Sequence, residues 1–150
     1  MAFVFFFDVN GVQHKIYNVN MAVGKSAPNR KDDVMLVQYM LKRIYEKPVY
    51  EKATFSKQQS AMVVDGFVGP ITMQWIGRFQ MDIRDGWGCS IVVDRRVDRA
   101  PGGTGPEYTI DYINYAFKGH YPEIHANMPV HPDVPAEIRA ALLLSPGALS

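Results

Sequence analysis

Asp65-Gly66-Phe67-Val68-Gly69-Pro70-Ile71-Thr72, continued by Trp75, Ile76, Phe79 and Gln80, is the stretch whose reading decides the fold. Pro70 suits a first helical position, where its fixed φ is already helical and its missing N–H would have had no partner. Asp65 is suited to accept backbone N–H groups of the turn, and Gly66 and Gly69 reach conformations closed to other residues. Thr72 can cap or bond back within the first turn. Ile71, Thr72, Trp75, Ile76 and Phe79 then share one side of a helix, so the turn drives Ile76 and Phe79 into a core. Gly77 costs about 1 kcal/mol there relative to Ala, which suggests a neighbouring backbone in close approach. Gly86-Trp87-Gly88 ends the helix.

Upstream, Asp32 and Asp33 stand where an N-cap belongs, and Val34, Val37, Leu41 and Ile44 recur at helical spacing until Pro48. Lys42, Arg43 and Glu46 remain for solvent. Residues 51–62 read as a polar surface excursion with room for one short helix. The N-terminus alternates around Asn10-Gly11, a pair suited to a two-residue type I′ turn, which predicts a β-hairpin over 3–19. Downstream, residues 91–93 read as a short strand and 100–106 as a Pro/Gly-rich loop. A third helix follows with Ile110, Ile113 and Phe117 inward. Residues 136–144 form the last helix, stopped by Ser145-Pro146-Gly147.

The chain has 150 residues, 47% of them hydrophobic, and Lys+Arg 16 balance Asp+Glu 15. Such a length buries roughly 70% of its unfolded surface without disulfides or metal, and the single Cys89 allows no internal disulfide. The missing basic surplus removes the usual sign of nucleic-acid binding. The longest apolar run, Met1 to Phe7, is far short of the roughly 20 residues of a membrane span. Asp8 closes that run and the first basic residue is Lys15, unlike a secretory leader. The expected location is therefore the cytoplasm, or the periplasm by way of a secretion system or partner.

The Asp65 to Gln80 register resembles the signature of the peptidoglycan-binding-like domain family, Asp-Gly-x-x-Gly-Pro-x-Thr followed by Phe-Gln, without a gap. Val34, Val37, Gln38 and Leu41 are similar to that family's first helix. Two departures stand out: the connection from Leu41 to Asp65 is long, and Val93-Asp94-Arg95-Arg96-Val97-Asp98 lacks the Asp-Gly pair expected in a second half, although Tyr108-Thr109-Ile110 follows. The resemblance spans roughly residues 31–117. It implies a mainly α fold: a three-helix core at 30–118, an N-terminal hairpin extension at 1–29 and a Pro-rich tail at 119–150 ending in a short helix, in one compact unit.

The resemblance also implies a non-enzymatic module that binds bacterial cell-wall peptidoglycan. A protein–protein adaptor, or an accessory component of a secretion or phage-like system, stays open beside it. Flat aromatics suit sugar faces and forked donors suit carboxylates, which singles out Trp87, Arg95 and Arg96, with Asp65 from the motif. Asp65, Gly66, Gly69, Pro70, Thr72, Phe79 and Gln80 specify the fold. Trp75, on the core face, reads as packing, and so do the alternating Phe3, Phe5 and Phe7; Phe6 is left over. His120, His125 and His131 with Glu123 lack metal-site spacing, since Pro122, Pro129 and Pro132 interrupt any helix. No nucleophile with its base and no selected carboxylate pair appears, so no catalytic residue, metal or cofactor is expected.

Overall fold

The computed structural model describes residues 1–47, 61–101 and 108–149. The surface excursion and the Pro/Gly-rich loop fall mostly outside them. The described chain runs β1 (Phe3–Val9), β2 (Val12–Asn18), β3 (Val23–Gly24), α1 (Lys31–Ile44), α2 (Pro70–Trp87), β4 (Arg96–Val97), α3 (Thr109–His120), α4 (Pro122–Ala126) and α5 (Ala136–Leu143). Helices hold 44% of the described residues and strands 14%.

This is a small α+β domain, which corrects the mainly α, three-helix expectation. The physical reason is that the strands share the helices' core. Val4, Ile16, Tyr17, Val19, Val23 and Val97 are buried in one cluster with Val37, Leu41, Phe79, Ile113 and Phe117, and Met128, Ile138 and Leu142 of the tail join it. Helical periodicity finds the helices, but it gives no weight to a two-residue ribbon such as β3–β4. There, Val23 faces Val97 and Gly24 faces Arg96. Residues 91–93, expected as a strand, carry no regular structure; the strand forms at Arg96–Val97 instead.

The hairpin closes on Asn10 and Gly11, both at positive φ, with Val9 opposite Val12. Its second strand is fastened to α3 by one side chain. The Asn114 carboxamide accepts the Tyr17 N–H at 2.8 Å and donates to the Tyr17 carbonyl at 2.9 Å, so it completes the strand edge as a neighbouring strand would. Asn18 does the same for Ala100, at 2.9 and 3.2 Å.

Asp32 and Asp33 do not cap α1; Arg30 holds that position without a side-chain bond. Asp32 accepts the Ala2 N–H at 2.7 Å. Asp33, fully buried, accepts the Asn20 and Met21 N–H groups at 2.9 and 3.1 Å. Both acids therefore bind earlier segments to the helix start, and burial raises the Asp33 pKa against those bonds.

Candidate functional site

Three of the four expected ligand residues, Asp65, Arg95 and Arg96, take part in internal hydrogen-bond clamps. Gln38, buried on α1, spreads its amide donors over Asp65 Oδ1 at 3.1 Å, the Phe67 carbonyl at 3.0 Å and Thr72 Oγ1 at 3.0 Å. Its Oε1 accepts the Asp65 and Gly66 N–H groups at 3.1 and 2.9 Å. Asp65 Oδ1 also accepts the Phe67 N–H at 3.0 Å. That bond and the one from Gln38 hold its carboxyl below the usual carboxylate range. Asp65 is thus committed to the turn.

Gln80, at the far end of the α2 core stripe, builds the same device. Its amide donates to Asp94 Oδ1, the Arg96 carbonyl and Thr109 Oγ1, at 2.9, 2.9 and 3.1 Å. Its Oε1 accepts the Arg95 N–H, and Asp94 Oδ1 accepts the Arg96 N–H, both at 2.9 Å. Asp94, Arg95, Arg96 and Thr109 therefore repeat Asp65, Gly66, Phe67 and Thr72. Arg95 stands at φ 61° where Gly66 stands at φ 80°. This is the second half whose Asp-Gly pair the sequence lacks: the turn forms with Arg in the left-handed position.

Arg96 is engaged by its guanidinium, which donates to the Lys25 and Ser26 carbonyls at 3.2 and 2.8 Å and pairs with Asp98 at 3.2 Å. The Arg95 guanidinium makes no ion pair among the described residues. Its stem lies over α2, where a Cβ on Gly77 would stand 3.3 Å from Arg95 Cγ. The close neighbour that Gly77 admits is thus a side chain rather than a backbone.

Trp87 differs from these. It ends α2, where Gly88 at φ 69° turns the chain away, and it is 43% exposed. Its ring meets that of Tyr115, itself 69% exposed, edge to face at 5.9 Å. Trp75 by contrast is buried against Tyr45.

Tyr115 is also one wall of a groove of about 550 Å³ between the hairpin and α3. Phe7 and His14, stacked at 5.3 Å, form the opposite wall with Ile16, and Asp111, Lys118 and His125 supply polar groups. The volume suits a small ligand, and mostly apolar walls with few polar groups are the usual composition of a binding site. Sequence reasoning missed this groove because it needs residues from β1, β2, α3 and α4 together. The only signal was the pairing of aromatic with polar residues at Tyr115 and Lys118, one turn apart on a helix.

Beneath the groove, His125 Nε2 lies 3.1 Å from Asn114 Oδ1, and the Tyr17 hydroxyl donates to the His125 carbonyl. Burial first, and then the charges of Lys118 and Lys15, press the His125 pKa down to about 3. The imidazole is therefore neutral near pH 7. His131 Nδ1 accepts the Asp133 N–H at 3.1 Å, and no cluster of His, Cys, Asp or Glu that could hold a metal occurs among the described residues.

Compared with family models, curated proteins and solved structures, the chain matches none of them.

Proposed function

We propose that the chain is a non-enzymatic module that binds bacterial cell-wall peptidoglycan, with the ligand lying across Trp87 and Tyr115 into the adjoining groove. The observation that carries this reading is the exposed Trp87–Tyr115 pair, of which Tyr115 also lines the groove. Exposed adjacent rings offer a sugar its apolar faces, and indole and phenol add polar edges. The Asp65 to Gln80 register, with Gln38 upstream, supports the family reading. The Asp65 carboxylate is held in its clamp and the Arg96 guanidinium by Lys25, Ser26 and Asp98, so the ligand side of the proposal rests on Trp87 and, second, on the Arg95 guanidinium.

Sedimentation with purified sacculi tests it. The intact chain is expected to pellet and Trp87→Ala to remain in the supernatant, whereas no retention of the intact chain, where a known wall binder pellets, rejects the reading. A second reading, a protein–protein adaptor, draws on a separate apolar surface: Val63, Phe67 and Ile71 are exposed beside the first clamp, Phe67 by 72%. A stoichiometric protein partner recovered from the native host, together with no sacculus retention, would put the adaptor first.

A further inference from the structure

The β1–β2 hairpin is a two-stranded sheet, so each of its strands has an outer edge. Because the two-residue turn closes on Val9 and Val12, that pair exchanges hydrogen bonds, and so do Phe7–His14, Phe5–Ile16 and Phe3–Asn18 at every second step. The pairs between them, Val4–Tyr17, Phe6–Lys15 and Asp8–Gln13, turn their N–H and C=O groups outward. At the first of these the fold closes both edges with side chains. The Tyr17 N–H donates to Asn114 Oδ1 at 2.8 Å and the Val4 N–H to Ser145 Oγ at 3.0 Å.

Further along β1 the closure stops. The outward N–H and C=O groups of Phe6 and Asp8 meet no partner among the described residues, and Asp8 is exposed. The open stretch runs from Phe6 to Asp8, bounded by Ser145 at Val4 and by the turn at Asn10. Unpaired backbone along a strand edge is a template for an added strand.

We propose that a second copy of this chain supplies that strand, pairing β1 antiparallel with the partner's β1 about a two-fold axis at Phe7. The register follows from the two open residues, which flank Phe7 symmetrically. Phe6 exchanges both bonds with the partner's Asp8, and Asp8 with the partner's Phe6, so no outward group of either residue is left over. In that register Val4 lies opposite the partner's Asn10. There the partner chain turns back toward its own β2 and vacates the place that Ser145 fills, whereas a longer extended segment would run into Ser145. Phe7 faces the partner's Phe7 as a non-hydrogen-bonded pair, the kind with the closer side chains, and Phe5 faces the partner's Val9. The Phe5–Phe7 stack at 6.3 Å is thereby extended across the axis. Each Asp8 lies beside a phenyl ring rather than opposite its own copy. The pairing draws on neither the groove nor the wall-binding reading.

Sedimentation velocity and amide hydrogen exchange of the intact chain, over a roughly hundredfold range of concentration reaching about 1 mM, test the pairing at the strength of a small interface. The mass is expected to rise toward that of two chains. Exchange at the Phe6 and Asp8 amides should slow about tenfold or more across that range, while the Phe7 amide, already bonded within the hairpin, stays unchanged. Asp8→Pro removes only an outward donor and should abolish the dimer, whereas Asp8→Ala keeps the donor and should retain it. A single-chain mass at every concentration, a dimer whose Phe6 and Asp8 amides exchange as in dilute protein, or an undiminished dimer of folded Asp8→Pro would overturn the proposal. So would an alternating Thr-Val peptide that slows the same two amides in a chain that stays monomeric, an outcome that gives the edge to a foreign strand. Should Asp8→Pro not fold, the exchange pattern of the intact chain decides alone.

Discussion

The Gln38 and Gln80 clamps share five bonds, with one more N–H at Gln38, and have opposite allotments of bulk. At the first, the turn residue is Gly66, and a Cβ there would fall 2.5 Å from Lys31 Cγ and 3.2 Å from Met35 Cγ, because the helix side is full. At the second, the turn residue is Arg95, and the helix residue three before the glutamine is Gly77, where Met35 occupies the matching place before Gln38. Large faces small in both cases, with the partners exchanged. The requirement on sequence is therefore not a glycine in the turn. It is one bulky residue in a space shared by turn and helix, and the left-handed backbone is tolerated when the five polar groups of the clamp hold it. The difference also locates the second turn's cost: Arg95 sits in a conformation about 1–2 kcal/mol uphill for an L side chain, while Gly66 does not.

Helix α2 serves both clamps, giving Thr72 to one and Gln80 to the other, so damage to its core face should break the comparison most severely. Phe79→Ala, at a buried ring, is expected to cost about 3–5 kcal/mol in a denaturant titration. A near-zero change would mean that α2 does not pack as described. Next come the clamps themselves. Gln38→Leu and Gln80→Leu keep volume and strand buried donors and acceptors, each at about 2–4 kcal/mol, with Gln38 the larger because its Oε1 serves two N–H groups and that of Gln80 one. Equal midpoints for the two variants and the intact chain would show that water replaces these bonds freely.

Gly77→Met tests the exchange of bulk. Beside Arg95 it is expected to destabilise by about 1–3 kcal/mol through overpacking, and combining it with Arg95→Gly should recover most of that loss. Strict additivity of the two changes would mean the residues do not share the space.

The third buried amide, Asn114, supports a polar contact that responds to pH where the clamps do not. His125 titrates at about 3 when folded against an ordinary 6.5, so the unfolded chain takes up the proton first. Stability is whole above pH 6.5 and falls as the pH drops, until the folded imidazole also titrates near 3. About 1 kcal/mol is expected to go between pH 6.5 and 5.5, and His125→Gln should flatten that slope. Asp65 works lower, since its folded pKa is depressed below 3.8: its contribution holds above 3.8 and is lost as pH falls through the folded value. A slope that persists in His125→Gln would assign the acid response elsewhere.

Much of this was legible in the chain. Asn10-Gly11 gives the hairpin turn, Gly69-Pro70 the start of α2, and Ile110, Ile113 and Phe117 the inward face of α3, because each rests on neighbours in sequence. What was not legible depends on distance. Asn114 reads as an ordinary polar residue on a helix, and only its position beside Tyr17 makes it the edge partner of a strand. Asp32 and Asp33 have the composition of a cap, yet segments far upstream claim their oxygens. Gly77 signals that something comes close without saying that it is Arg95, and the groove draws on four elements. Of the expected ligand residues, Trp87 alone carries an exposure that helix-end glycines foreshadow.

Arg95 gives the finest test, because it joins the clamp comparison to the binding proposal. Replacing it with Gly and with Ala removes the same guanidinium, but only Gly relieves the positive φ. Arg95→Gly is therefore expected to be more stable than Arg95→Ala by about 1 kcal/mol, read as a difference in denaturant midpoint at constant slope. Equal stabilities would mean that the turn relaxes to accept any residue. Sacculus retention then separates two reasons for an arginine at a strained position. If Arg95→Gly pellets like the intact chain, Arg95 is there to fill the space over Gly77. If it gains stability and loses retention, the strain is kept for a ligand, the pattern in which a local cost is held in place by the surrounding structure.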